Sequence, residues 1–382
     1  MDRKSLDHLF SAYIEKFDFM NTKPQEEYFK WTDIAAFQAN FDIEAQNFAE
    51  MLLKVQGATK TLIDSNMQPL KGLCVYANVE PETVRKMFRD LFVDDGGDLT
   101  IRQKKIDAFI AAADVLHNKY TPGYYTYENN QRSVMAYLFC HDPDNHYLYK
   151  ATEAQYLADR VGFYDDWGPM NAFHLDTFYR FCDQLQEEIN TCPALLRTHE
   201  RRFAELNVPY HADSNLHILL FDFIYCCHAY DLYTGFGFKP ITSGEKAEYR
   251  TMRAKAQELL EKVYVAEQDV LMLADAKNAF NQLLQSGASI HHKTWGELEF
   301  LQEEHSTFNG KIFDFHCFRV KSNGKTQKVS LFSALANRQL SFGSPDFGQI
   351  MEMYSSVINR EYNISDAYAS AQKALEPYKK YL

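Results

Sequence analysis

Apolar positions recur along much of this chain with the period of an α-helix. Over residues 81–93, Val84, Met87, Phe88, Leu91 and Phe92 fall at i, i+3, i+4, i+7 and i+8, one apolar stripe behind a proline suited to a first helical turn. Similar patterning predicts helices over 5–20, 25–38, 43–62 and 98–120. Thr152 ahead of Glu153-Ala154-Gln155 reads as a capping box, so helix resumes at 153. Further helices are predicted over 175–189, 194–206 and 214–233, the last apolar enough to be a buried central helix. Residues 244–285, rich in Ala, Glu, Lys and Leu, read as one long connecting helix or two in close succession.

Two stretches break this period. Residues 134–140 and 147–150 are aromatic, strand-compatible runs flanking a polar turn, which predicts a small hairpin. After Ser286-Gly287 the pattern changes to that of strands, over 288–292, 297–302, 311–320 and 326–332, and Asn323-Gly324 supplies a hairpin turn. The expected architecture is mainly α: an N-terminal helical domain (1–120), a central helical domain with the small hairpin (121–243), a connecting helix (244–285), a small β-barrel (286–342) and C-terminal helices (343–382).

The chain has 382 residues, 46% of them hydrophobic, with 16 Gly and 11 Pro, which excludes a disordered or low-complexity polypeptide. No apolar run approaches the ~18–20 residues that span a bilayer, and the N-terminus lacks the apolar core of an export signal. A cytoplasmic protein with no membrane partner is expected. The seven cysteines are scattered without a C-x-x-C pair and read as reduced core residues.

The net charge of −12 is unevenly spread. Residues 286–382 carry 11 Lys or Arg against 10 Asp or Glu, leaving 29 against 42 for residues 1–285. Between Lys311 and Arg338 there are six basic residues and one acid, Asp314. Here Lys311, Arg319, Lys321, Lys325 and Lys328 interleave with Phe313, Phe315 and Phe318, a pattern that stacks bases and neutralises phosphates, or one in which aromatics fill a barrel and lysines solvate its edges.

Candidate catalytic chemistry is sparse. His141-Asp142-Pro143-Asp144-Asn145-His146 has the residue types of a metal-dependent hydrolase site, and equally those of a turn whose Asp and Asn bond their own backbone. His217 and His228 share a face of an apolar helix, near Asp222, Cys226 and Cys227, where core packing is the simpler reading. Phosphate loops, dinucleotide fingerprints, nucleophile elbows and H-E-x-x-H are absent from the sequence, so no cofactor is expected.

Two resemblances add to this picture. Tyr28-Phe29-Lys30-Trp31, the run Phe37 to Ile43, Asn47 to Leu52, Pro81 to Phe88 and Tyr147 to Lys150 occur in an order that resembles, over about residues 28–180, the helical recognition region preceding the motor of McrB-type AAA proteins of prokaryotic restriction systems. The GTP-binding motor itself is missing, so the resemblance implies target or partner recognition without hydrolysis. Independently, Gly287, Ile290, His292, Trp295 and Gly296, with Lys328, Phe332 and Ala334 downstream, resemble the SH3-like or Tudor-like barrel at the C-terminus of UvrD-type helicases. Leu298 stands where that pattern has its last glycine.

These readings predict a non-enzymatic recognition component of a prokaryotic defence or nucleic-acid-processing system. Trp295, Lys321, Lys325, Lys328 and Arg338 are the expected contacts to nucleic acid or a partner, and an AAA motor or nuclease is the expected protein partner. The alternatives are a protein–protein adaptor without nucleic-acid contact and a metal-dependent hydrolase using His141, Asp142, Asp144 and His146.

Overall fold

A computed structural model of the chain describes residues 1–64, 67–169, 172–204, 206–308 and 311–382, without the side chains of 308, 311 and 312. The chain divides into two compact units, Met1–Lys246 and Ala247–Leu382.

The first unit is helical: α1 (Arg3–Asn21), α2 (Phe29–Asn40), α3 (Phe48–Ala58), α4 (Lys60–Ile63), α5 (Pro69–Ala77), α6 (Pro81–Phe92), α7 (Leu99–Tyr120), α8 (Gln131–His141), α9 (Ala151–Arg160), α10 (Leu175–Asn190), α11 (Pro193–Arg201) and α12 (His217–Ala229). Residues on both sides of position 120 contribute to a single buried cluster running from Leu6 to Tyr233. The apolar stripe of α6 lies in it, with Val84, Met87, Phe88 and Leu91 all buried.

The expected hairpin at 134–140 and 147–150 is not formed. Residues 134–140 belong to α8, and residues 147–150 form no strand. The determinant lies just upstream: Asn130 Oδ1 accepts the Arg132 N–H at 3.0 Å, while Ser133 Oγ accepts the Asn130 N–H at 3.0 Å, a capping pair that starts a helix. Every residue from Ser133 to Cys140 is buried. A helix covered on all sides shows no apolar stripe, so composition alone mimics a strand.

A charged network lies inside this unit. Lys30 pairs with Glu27 at 2.5 Å and with Asp222; Arg202 reaches Asp222 at 3.0 Å and the Tyr13 hydroxyl at 2.6 Å, and Tyr13 itself donates to Asp222. The Arg202 guanidinium also lies 3.9 Å from the Trp31 ring. Burial alone would push Asp222 up, and Lys30 and Arg202 more than reverse this, holding its carboxyl well below the usual range. Charges are tolerated at this depth because each faces an opposite charge. Nearby, Asp213 accepts the Ile218 and Leu219 N–H groups at 2.9 and 2.8 Å and the Trp31 indole N–H at 3.2 Å, fixing the start of α12. The seven cysteines are free thiols, six of them buried.

The second unit contains most of α13 (Ser243–Gln285), then β1 (Ile290–His292), β2 (Gly296–Phe308), β3 (Lys311–Val320), β4 (Thr326–Val329), α14 (Leu331–Ala336), β5 (Leu340–Phe342), α15 (Phe347–Ile358) and α16 (Glu361–Leu375). Its strands form one antiparallel sheet in the order β4-β3-β2-β1-β5. The expected barrel is therefore an open sheet, with β4 and β5 as its edges. The last part of the fourth expected strand, 330–332, turns instead into α14. A register irregularity between Phe300 and Gln302 switches which residues of β2 face inward. Leu298, Phe318, Val320 and Phe342 pack on Phe280 and Leu284 of α13 and on Phe332 of α14. Among the described residues no helix is long and apolar enough to cross a membrane.

Candidate nucleic-acid interface

Strand register places three turns at one end of the sheet. His292 pairs with Gly296, so Lys293, Thr294 and Trp295 form the β1–β2 loop, and the positive φ of Gly296 (+75°) reverses the chain. His292 also pairs with Leu340, which brings the α14–β5 turn, Asn337 to Gln339, alongside; the Lys293 N–H donates to the Gln339 carbonyl at 2.8 Å. On the other side the Lys321 N–H donates to the Glu297 carbonyl at 3.0 Å. This puts the β3–β4 turn at the same end, where Asn323 Oδ1 accepts the Lys325 N–H at 3.0 Å. At ~4.8 Å per strand, five strands make a rim about 19 Å long.

Four of the five sequence-predicted residues, Trp295, Lys321, Lys325 and Arg338, belong to this rim. Lys293 joins them; its only signal in the sequence is its place two residues before Trp295, in the same loop. Lys293, Lys325 and Arg338 are exposed, and no ion-pair partner for any of them occurs among the described residues. Lys321 sits 3.4 Å from Glu297, with both side chains exposed.

Lys328 lies elsewhere. It faces Glu304 at 3.0 Å and Ser306 at 3.3 Å, with its ammonium 4.9 Å from the Phe315 ring centre. Arg319 is likewise paired with Glu299 at 3.1 Å. The acids of β2 are what a count over 311–338 omitted: they precede that window in sequence and lie across the sheet from its cations. Of the aromatics, Phe318 is fully buried and Phe313 packs on Tyr362. The side chain of Lys311 lies outside those described.

Trp295 is half-buried against the unit's core, its ring stacked on buried His292 with centroids 3.9 Å apart and planes 14° from parallel. Burial, with His291 adjacent, lowers the His292 pKa. Its Nδ1 accepts the Thr294 N–H at 3.1 Å, so the ring is the neutral tautomer and acts as a rigid backing for the indole. Arg338 adopts φ +53° as the residue that ends α14: the Gln339 N–H reaches the Ala334 carbonyl at 2.8 Å and the Arg338 N–H the Leu335 carbonyl at 3.0 Å. This is the helix stop that glycine normally makes, and a side chain there costs about 1–2 kcal/mol.

The residues of the hydrolase alternative are not gathered into a ligand set. His141 stacks on Phe92 at 3.9 Å, and His146 is buried with Nδ1 3.4 Å from the Tyr179 hydroxyl. Asp142 accepts from Asn145 at 2.9 Å, and the Asp144 carbonyl accepts from Asn215 at 3.0 Å. Among the described residues, none of the four belongs to a group of three or more donors close enough for one metal ion. His217 Nδ1 lies 3.0 Å from the His146 carbonyl and His228 packs against Tyr156, both in structural roles.

No family model, curated protein or solved structure matches this chain.

Proposed function

We propose that this chain is a non-enzymatic recognition component whose C-terminal unit binds nucleic acid at the turn-bearing end of its sheet, in a restriction, defence or nucleic-acid-processing setting of the kind the McrB-type resemblance implies. One contrast carries the reading. The cations on the turns, Lys293, Lys325 and Arg338, lack acidic partners among the described residues and surround a half-exposed indole, whereas those along the strands, Arg319 and Lys328, are neutralised by Glu299 and Glu304. Unpaired cations beside an aromatic platform suit an unstacked base with its flanking phosphates. The open sheet takes the part expected of an SH3-like module, with its turns as the recognition edge. Anisotropy titration of a labelled single-stranded oligonucleotide tests this: Lys325→Glu with Arg338→Glu weakens binding, and unchanged affinity contradicts the reading.

The adaptor reading has one observation in its favour. The pairs Glu297–Lys321, Glu299–Arg319 and Glu304–Lys328 give the sheet's outer face an alternating charge mosaic that suits a protein surface better than a polyanion. An AAA motor or nuclease that co-purifies after nuclease treatment, and is lost on reversing Glu299 and Arg319 individually, supports it.

A further inference from the structure

Beyond the bulge of β2 the inner face of the sheet changes from apolar to polar. Glu303 pairs with His316 and His305 with Asp314, so two carboxylates and two imidazoles share one face of the β2–β3 ribbon. Donor atoms of Glu303, His305 and Asp314 all lie within 4.8 Å of one another, with His305 Nδ1 2.8 Å from Asp314 Oδ1. Two ligand atoms on a tetrahedral zinc ion are ~3.4 Å apart, so small side-chain rotations suffice to close the set.

An independent observation points to the same place. His316 is 5% exposed, and neither ring nitrogen has a hydrogen-bond partner among the described residues. A buried imidazole without a donor or acceptor partner is costly. Its ring lines a cavity of about 30 Å³ together with Glu303, Asp314, Glu361 and Lys277. That volume holds an ion and a water rather than an organic molecule. The Lys277 ammonium lies 2.6 Å from Asp314 and 3.6 Å from Glu361, so a single positive charge already occupies part of this acidic recess.

We propose that Glu303, His305 and Asp314 form a site for a first-row divalent metal ion of the zinc class, and that the buried His316, whose ring nitrogens lie outside that three-residue cluster, turns in from the cavity wall as the fourth donor. Mixed imidazole and carboxylate donors select such ions over calcium or magnesium. The bound ion clamps β2 to β3 on the sheet's inner face and displaces Lys277 from Asp314. This inference stands independently of nucleic-acid binding.

Calorimetric titration of Zn²⁺ into the full chain, paired with the visible spectrum after Co²⁺ addition, tests it. The expected result is one Zn²⁺ per chain and a Co²⁺ spectrum of four-coordinate character. His305→Ala and Glu303→Gln, both at exposed positions, each weaken binding about ten- to hundredfold. Glu299→Gln, on the outer face, leaves it unchanged, and Lys277→Met tightens it by removing the competing ammonium. His316→Gln, with its fold checked by circular dichroism, loses the four-coordinate Co²⁺ spectrum. Absence of binding, affinity insensitive to His305→Ala and Glu303→Gln, or no gain in Lys277→Met overturns the proposal.

Discussion

The indole of Trp295 lies almost parallel to the imidazole of His292, 3.9 Å between ring centres. Because His292 is buried and its Nδ1 is engaged by its own loop, the pair forms a preset platform rather than a mobile side chain. Stacking one base on such a platform contributes about 1–3 kcal/mol. Trp295→Ala should therefore weaken oligonucleotide binding roughly five- to 150-fold, with Trp295→Phe retaining much of it. Trp31 and Trp167 are buried in the first unit, so quenching of tryptophan fluorescence on titration should vanish in Trp295→Phe. Persistent quenching there contradicts base stacking on Trp295.

Arg338 combines a left-handed backbone with a side chain that has no acidic partner among the described residues, so one substitution separates stability from binding. Arg338→Gly relieves a left-handed conformation costing about 1–2 kcal/mol, against ~0.5–1 kcal/mol of added chain entropy in the unfolded state. The melting temperature should stay level or rise while oligonucleotide affinity falls. A drop in melting temperature with unchanged affinity would assign Arg338 to structure alone.

Lys328 provides the opposite case. Its exposed pair with Glu304 contributes little to stability, and removing it changes no net charge at the turn end. Lys328→Ala should alter oligonucleotide affinity less than about threefold, an energy of about 0.7 kcal/mol at most. A loss equal to that of Lys325→Ala contradicts the division between turn and strand cations.

In the first unit, Asp222→Ala leaves Lys30 and Arg202 facing each other without their shared anion. The expected loss is about 3–5 kcal/mol, measured by urea denaturation in a Trp295→Phe background, where Trp31 and Trp167 report this unit alone. A loss under about 1 kcal/mol contradicts the assigned role of the network.

His146 gives the same unit an acid sensitivity. Burial, reinforced by Arg102, lowers its pKa from 6.5 to about 3 in the fold. Protonation thus favours the unfolded chain: the stability tied to the neutral ring is fully present above pH ~6.5 and is lost as pH falls toward ~3. This adds a slope of up to ~1.4 kcal/mol per pH unit, which His146→Gln should remove. An identical slope in that variant contradicts the assignment.

What was legible in the sequence follows the physics of each element. The stripe of α6 and the Asn-Gly turn between β3 and β4 are local signals, and the structure places both as expected. Residues 244–285 form one helix because no Gly or Pro interrupts them between Lys246 and Gln285. Helix α8 was misread because total burial erased its period, and its identity rested on two polar residues at the cap. The barrel was misjudged because closure depends on whether β4 and β5 meet, which no strand pattern records. The turn-bearing end of the sheet was half legible: Trp295, Lys321, Lys325 and Arg338 stood out as residue types, but only strand register shows that they share one end with Lys293. The pairing of Lys328 with Glu304 likewise spans 24 residues and needs the ribbon to be seen.

The most direct test is the salt dependence of single-stranded oligonucleotide binding, compared between the wild-type chain and a variant combining Lys293→Glu, Lys325→Glu and Arg338→Glu. With three phosphate contacts removed, the slope of log affinity against log salt should shrink by about 2, together with a large loss of affinity at low salt. Equal affinity and an equal slope would contradict nucleic-acid recognition at the turn-bearing end of the sheet.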